Sequence, residues 1–304
     1  MAKKKNSSIN ITKKTNVLFN ILLLLVAIMS VFPILFVLVI SVSTKESIAQ
    51  YGFTLIPKGI TLESYKVIVS GGFSIVSAFR NSIILTLVGT VTGLIVTTTY
   101  AYAMSRSDFA YKKFFSLVAF IPMLFGGGMV ANYIVMTQVL GLKNTFFALL
   151  LPLLINTFYI IVMRTFYQTS VPQALIEAAK IDGASEFMTF FKIVLPVSLP
   201  GIATIGLFLT LAYWNDWFNA MLYLDQGSKY TPLQYMLMQM QKKIENILLK
   251  KDLMGNVAQE ALKSLPADGV RMAVVVVSTL PIAMSYPFFQ RYFVEGLTLG
   301  AVKE

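Results

Sequence analysis

Six stretches of this chain carry no charged residue: 15–44, 81–105, 114–142, 144–163, 193–215 and 272–290. Each is at or near the roughly 20 mostly apolar residues that a helix needs to cross a bilayer. In hydrocarbon every backbone N–H and C=O must find its partner within the chain, which leaves only helices and closed barrels. The runs do not alternate apolar and polar residues as barrel strands do. The chain therefore predicts an all-α integral membrane fold with six transmembrane helices, at about 17–43, 79–104, 113–136, 145–167, 197–223 and 272–290. With 56% hydrophobic and 13% charged residues, it is too apolar for an ordinary soluble domain.

Several chemistries are excluded at once. There is no cysteine and no histidine, so thiol nucleophiles, disulfides, soft metal sites and the commonest general base are all missing. No Walker-type phosphate loop occurs. The reading is of a non-catalytic chain with no metal and no cofactor of its own. The net charge of +11 does not imply nucleic acid, because lysine and arginine of a membrane protein collect in its loops and set topology. Residues 1–16 are basic and precede a charge-free run of 30 residues. A signal peptide has the same order, but its apolar region is only about 7–15 residues long, so a retained first helix is expected. The balance of basic residues between the two sides is nearly even. Orientation rests on Lys3, Lys4, Lys5, Lys13 and Lys14, which place the N-terminus in the cytoplasm. Six spans return the C-terminal tail, 293–304, to the same side. The lysine-rich outer segment and the absence of cysteine fit a Gram-positive bacterium.

Within the spans, Gly89 and Gly93 have the spacing that lets two helices approach closely. Gly126, Gly127 and Gly128 predict a kink or unwinding in the third helix. Between the fourth and fifth spans lies the most informative segment, 169–198. Ser170 with Gln173 fits a capping box, and Pro172 suits a first helical turn. Glu177, Ala178 and Ala179 continue a short helix that Asp182 and Gly183 break, glycine being the residue that accepts left-handed backbone angles. Ser185 can cap a second short helix through Lys192, and Pro196 and Pro200 mark the entry to helix five. The expected product is an elbow with a low-relief surface for another protein.

Trp214, Asn215, Asp216, Trp217 and Asn219 cluster within the expected fifth helix. An ionisable residue inside a span is a functional candidate, and aromatic faces beside hydrogen-bonding groups suit a sugar. Equally, Asp216 can pair within the bundle while the tryptophans pack or sit at the interface. Asn132, Tyr133, Asn156 and Tyr159 are weaker candidates, with packing favoured. In the outer segment, 225–271, Leu233, Met236, Leu237, Met240, Ile244, Ile247 and Leu248 share one helical face, with Lys242, Lys243, Lys250 and Lys251 elsewhere. That amphipathic helix either lies on the membrane surface or helps dock an extracellular protein.

The segment 169–200 resembles the EAA loop of binding-protein-dependent ABC importers, in which E-A-A is followed by three residues, G, nine residues and I-x-L-P. Glu177, Ala178, Ala179, Gly183, Ile193, Leu195 and Pro196 stand at those spacings. Asn81–Ile83, Ala101–Arg106, Trp214–Ala220 and the C-terminal FFQRYFVEGLTLGAVKE also look like carbohydrate permeases, of the maltose-type second permease and its LplC/YtcP-like branch. The outer segment 225–271 is longer and more charged than that pattern. The resemblance implies a type I ABC importer permease fold, with residues 17–292 as the transmembrane domain and the elbow as a cytoplasmic coupling helix. It also implies ATPase-coupling roles for Glu177, Ala178, Ala179, Asp182, Gly183, Ile193, Leu195 and Pro196. The implied partners are a second homologous permease, two cytoplasmic ATP-binding subunits that hold the ATP and magnesium, an extracellular substrate-binding lipoprotein and a sugar. The alternative is a secondary transporter or channel, but Asp216 is almost the only acid within the spans and the EAA pattern would go unexplained.

Overall fold

The computed structural model describes residues 13–70, 75–249 and 267–301. Among these, the chain is helical with no β-strand, apart from an isolated antiparallel bridge between Ser43 and Ile60. The residues fall into two compact units, one of 1–71 with 247–277 and the other of 72–246 with 278–304.

The first unit opens with α1, Lys13–Ser41. Its side chains from Val17 to Met29 are exposed on every side, and a helix that is apolar all round without being buried by protein is one that lipid covers. Lys13 and Lys14 begin α1; Lys3, Lys4 and Lys5 lie outside the described residues. The stretch between the first two expected spans contains α2, Lys45–Tyr51, capped by the Thr44 side chain, and α3, Glu63–Ser70. Ser41 Oγ bonds to Tyr65 Oη at 2.8 Å and ties α3 to the end of α1.

The second unit is built around α4, Ile75–Ser105. Three further spans are broken helix pairs. The first is α5, Lys112–Leu124, and α6, Gly128–Ile134, which continues as a π-turn over Val135–Val139; this pair bends by 117°. The break falls on the glycines where unwinding was expected, with Gly128 at φ 76°. The second pair is α7, Phe146–Leu154, and α8, Thr157–Ser170, bent by 47°, where the Asn156 side chain accepts from Phe158 N. Next come α9, Gln173–Ile181, α10, Glu186–Thr189, and α11, Leu195–Val197, the last two joined by a π-turn. The segment Glu186–Val197 meets α12, Leu199–Asn215, at 82°. Pro196 and Pro200 lack the amides that would carry one helix through Ser198, and Pro200 sits in the first turn of α12, where an amide would be an orphan anyway.

The fifth span differs from expectation. It is not continuous over 197–223: α12 ends at Asn215, Asp216 is extended, and a separate short helix, α13, covers Phe218–Tyr223. Beyond it lies α14, Leu233–Leu249. The first two turns of its expected apolar face are covered by protein and not by a membrane surface. Leu233, Met236, Leu237 and Met240 are all at least nine-tenths buried in protein. The Ser82 hydroxyl accepts from Leu233 N at 2.8 Å, and Asn81 Nδ2 donates to the carbonyls of Lys229 and Thr231. The side chains of Ile244, Ile247 and Leu248, and all of Lys250 and Lys251, lie outside the described residues. The last helix, α15, Ala267–Ala301, carries Pro281 and Pro287 and runs through most of the segment read as a tail. Counting each bent pair as one span, up to six helical spans are long and apolar enough to cross a membrane.

The core of the second unit lies where α4, α8 and α12 meet, with Leu85, Met104, Ile160, Met163, Leu209 and Tyr213 all buried. Gly89 and Gly93 serve the close approach their spacing predicts: Tyr213 and Leu209 of α12 fill the space a Cβ would need.

Candidate functional site

The elbow between the fourth and fifth spans takes its shape from three local devices. Pro172 occupies the cap position of α9 with its φ held at −60°. The expected capping box does not form. Ser170 is the last residue of α8, and Gln173 Nε2 donates along α9 to Glu177 Oε1 at 3.1 Å. At the other end, Gly183 takes φ 76°, its amide donates to Lys180 O, and Ala184 N donates to Ala179 O. That pair of bonds is a Schellman motif, which satisfies the last carbonyls of α9 and needs a left-handed residue at Gly183. The Ser185 side chain then accepts from Met188 N and starts α10. The second helix continues past Lys192, through the π-turn Phe190–Val194, to Val197. Leu195 packs on the core, Ile193 is half-buried and Pro196 is exposed.

The two alanines of the motif part company. Glu177 and Ala178 are exposed, as are Asp182 and Gly183, whereas Ala179 is 5% exposed and faces its own protein. Around the turn stand Leu175, Ile181, Phe187, Met188 and Phe191, with Ile181 86% and Phe187 79% exposed. Exposed apolar side chains gathered around a built turn mark a surface for a partner.

Sequence reasoning missed a cluster of charges beneath the elbow. Arg106 NH2, with its side chain only 12% exposed, donates to Asp108 Oδ2 at 3.0 Å and Glu186 Oε1 at 3.2 Å. Lys180 pairs with Asp108 and lies 3.5 Å from Glu186 Oε1. Tyr102 Oη donates to Glu186 Oε2 at 2.8 Å. The hydrogen bond from Lys180 holds the Asp108 carboxyl below its usual range, and the same contact raises the Lys180 ammonium. The partners that join the elbow to residues 102–108 stand 72 to 84 residues apart in the chain. The signals available beforehand were only an Arg-x-Asp between two apolar runs and a lysine and a glutamate on either side of Gly183.

The aromatic and polar group at the end of α12 does not act as one cluster. Trp214 is buried, donates from Nε1 to Ser278 O at 3.0 Å and meets Phe79 edge-on. Asn215 is exposed and donates back to Leu211 O. Asp216 closes the first turn of α13, accepting from Asn219 N at 3.1 Å and Asn219 Nδ2 at 2.9 Å. Trp217 is 41% exposed. Asn219 lines a cavity of about 310 Å³ with Asn132, Met129, Leu151, Phe218 and Tyr223. Tyr133 stacks on Tyr223, and Tyr159 on Phe208.

Residues 9–298 match the family described as binding-protein-dependent transport system inner membrane component. The chain is 36% identical, over 92% of its length and 95% of the relative's, to the polygalacturonan/rhamnogalacturonan transport system permease protein YtcP of Bacillus subtilis. It is 38% identical to protein LplC of the same organism, over 91% of each chain. It is 30% identical to the trehalose/maltose transport system permease protein MalG of Thermococcus litoralis, over 92% of this chain and 94% of that one. Among solved structures it is similar to a chain of a bacterial ABC transporter involved in the import of the acidic polysaccharide alginate, with a TM-score of 0.76, 27% identity, and coverage of 95% of this chain and 99% of that one.

Proposed function

Because the chain belongs to the family of binding-protein-dependent transport system inner membrane components, we propose that its elbow is the point at which a cytoplasmic ATPase drives it. The chain is a membrane permease of a carbohydrate ABC importer. Beside a second homologous permease it forms half of the translocation pathway. Two ATP-binding subunits hold ATP and magnesium on the cytoplasmic side, and an extracellular lipoprotein delivers an oligosaccharide. Both termini then face the cytoplasm, as the elbow does.

The observation that carries this reading is the exposed face of the elbow: Glu177 and Ala178 beside a glycine turn, ringed by unburied apolar side chains. Ala178 admits a close neighbour, Glu177 offers it a polar contact, and Gly183 sets the angle. Ala179, Leu195 and half-buried Ile193 seat the elbow on its own protein. The chain itself does no chemistry; nucleotide-driven closure of the partner biases a rigid-body switch of its helices. Along the pathway, Asn219 and Asn132 offer the polar contacts that a sugar hydroxyl needs. Asp216 holds Asn219 in place through two hydrogen bonds, and Trp217 is the exposed aromatic of the same segment.

The test is ATP hydrolysis by the co-purified complex of both permeases, ATPase and binding protein against a panel of neutral and acidic oligosaccharides. One sugar class is expected to stimulate hydrolysis, and Glu177→Ala or Gly183→Asp to abolish the stimulation while the chain stays in the membrane. Normal uptake by both variants would sink the coupling role.

A further inference from the structure

We propose that Arg106 and Glu186 are positioning residues that clamp the elbow to the C-terminal end of α4, so that elbow and α4 move as one body. The proposal rests on the reading of the elbow as the ATPase contact and extends it to what the contact moves.

The argument starts from the hinge. On its own the elbow is a nine-residue helix and a short second helix joined at Gly183. Helices this short do not hold themselves, let alone a fixed mutual angle, and a left-handed glycine is a compliant joint. A push on such a hinge would be absorbed there. The charged cluster removes that freedom by gripping both sides. Lys180 precedes the turn and Glu186 follows it, 3.5 Å from each other across it. Both reach the same anchor, Lys180 through Asp108 and Glu186 through Arg106. Every carboxylate oxygen of Glu186 is used, Oε1 by the two cations and Oε2 by the Tyr102 hydroxyl. The Tyr102 ring also lies 4.9 Å from Phe190 and edge-on to Tyr167. Tyr102 lies in the last turn of α4 and Arg106 directly follows that helix, so the carboxylate is held from two directions at the end of α4.

The far side of the same helix explains why the grip matters. At Gly89 and Gly93, α4 lies against Tyr213 and Leu209 of α12 with no room for a Cβ at the first of them. Motion delivered to the end of α4 therefore passes into α12, which ends at the polar wall of Asn215, Asp216 and Asn219. Exposed ion pairs contribute little to stability one at a time. The clamp acts by geometry: losing it frees the hinge without unfolding the unit.

The chain has no native cysteine, so Ser107→Cys and Ala174→Cys give a clean pair for spin labels on the α4 end and on the elbow. In the assembled complex, the inter-label distance is expected to keep its centre and width between nucleotide-free and ATP-trapped states. Glu186→Gln, which keeps the side-chain shape, and Arg106→Gln are expected to broaden it. They should lower sugar transported per ATP hydrolysed by roughly two- to thirtyfold, the double variant being no worse than either single one. Co-purification of all partners with each variant checks that it folds and docks. A parent distance that shifts between states, an unchanged transport ratio in both variants, or losses that add in the double variant overturns the clamp. Failure of the parent chain to retain the ATPase overturns the docking reading and the clamp with it.

Discussion

Replacing Gly89 by alanine is the sharpest probe of how α4 and α12 fit together. A Cβ there would stand 2.4, 2.5 and 2.6 Å from three carbons of the Tyr213 ring. Nonbonded carbons rest about 3.5–4.0 Å apart, so the ring must retreat by about 1 Å. It has nowhere to go: Tyr213 is 1% exposed, and its hydroxyl donates to Leu150 O at 2.8 Å. Overpacking of a filled site costs about 1–3 kcal/mol. If the ring swings instead, a buried hydroxyl loses its acceptor, at about 1–3 kcal/mol. Alanine returns about 0.5–1 kcal/mol of helix propensity, so by either route the net loss reaches about 2.5 kcal/mol. Gly93 is the internal control. Its Cβ would crowd the two Leu209 methyl carbons, both at 3.1 Å and the ends of a flexible side chain, and would stand at an ordinary contact distance of 3.7 Å from Leu154 O. Gly93→Ala should then stay within about 1 kcal/mol of the parent, the propensity gain offsetting a small shift. The assay is equilibrium unfolding of the purified chain in mixed micelles. A Gly89→Ala variant as stable as Gly93→Ala would refute the reasoning.

Two further outcomes follow from the elbow. Ala178→Leu should leave the chain folded and abolish co-purification of the ATPase, whereas Ala179→Leu, in a site 5% exposed, should destabilise the chain by about 1–3 kcal/mol. Equal behaviour of the two variants in unfolding and pull-down would contradict the opposed faces. The charged cluster also predicts a flat pH profile for coupling. Asp108 is held below its usual range by Lys180, so its contribution is present above about pH 4 and fades as pH falls through the lowered value. Lys180 is raised by the same contact, so its contribution is present at neutral pH and is lost only as pH rises past the usual lysine range, about 10.4. Transport per ATP between pH 5 and 9 tests this; a step near neutrality would count against the pairing.

The helical membrane fold was legible because its cause is local. A charge-free run in hydrocarbon must pair its own backbone groups, and only a helix does so within a single segment. The glycine turn at Gly183 and the cap at Ser185 were legible for the same reason, each being a bond within a few residues. The glycines of α4 announced a close approach, though not that Tyr213 would fill it. Where a competing local bond was available, the sequence misled. Ser170 closes α8 instead of capping α9, because Pro172 takes the cap position. Asp216 and Asn219 bond to each other and end the fifth span early.

What composition, spacing and resemblance determined was the class: a polytopic helical permease with a glycine-hinged elbow between its fourth and fifth spans. The tertiary structure alone decided which alanine of the motif faces outward, that the first two turns of the apolar face of α14 are covered by protein, and that Arg106 meets Glu186, 80 positions further along the chain. A helix repeats every 3.6 residues, so its local bonds are written in short spacings. Which face it turns to a neighbour, and which distant charge waits there, depends on how whole helices pack, and no short spacing carries that information.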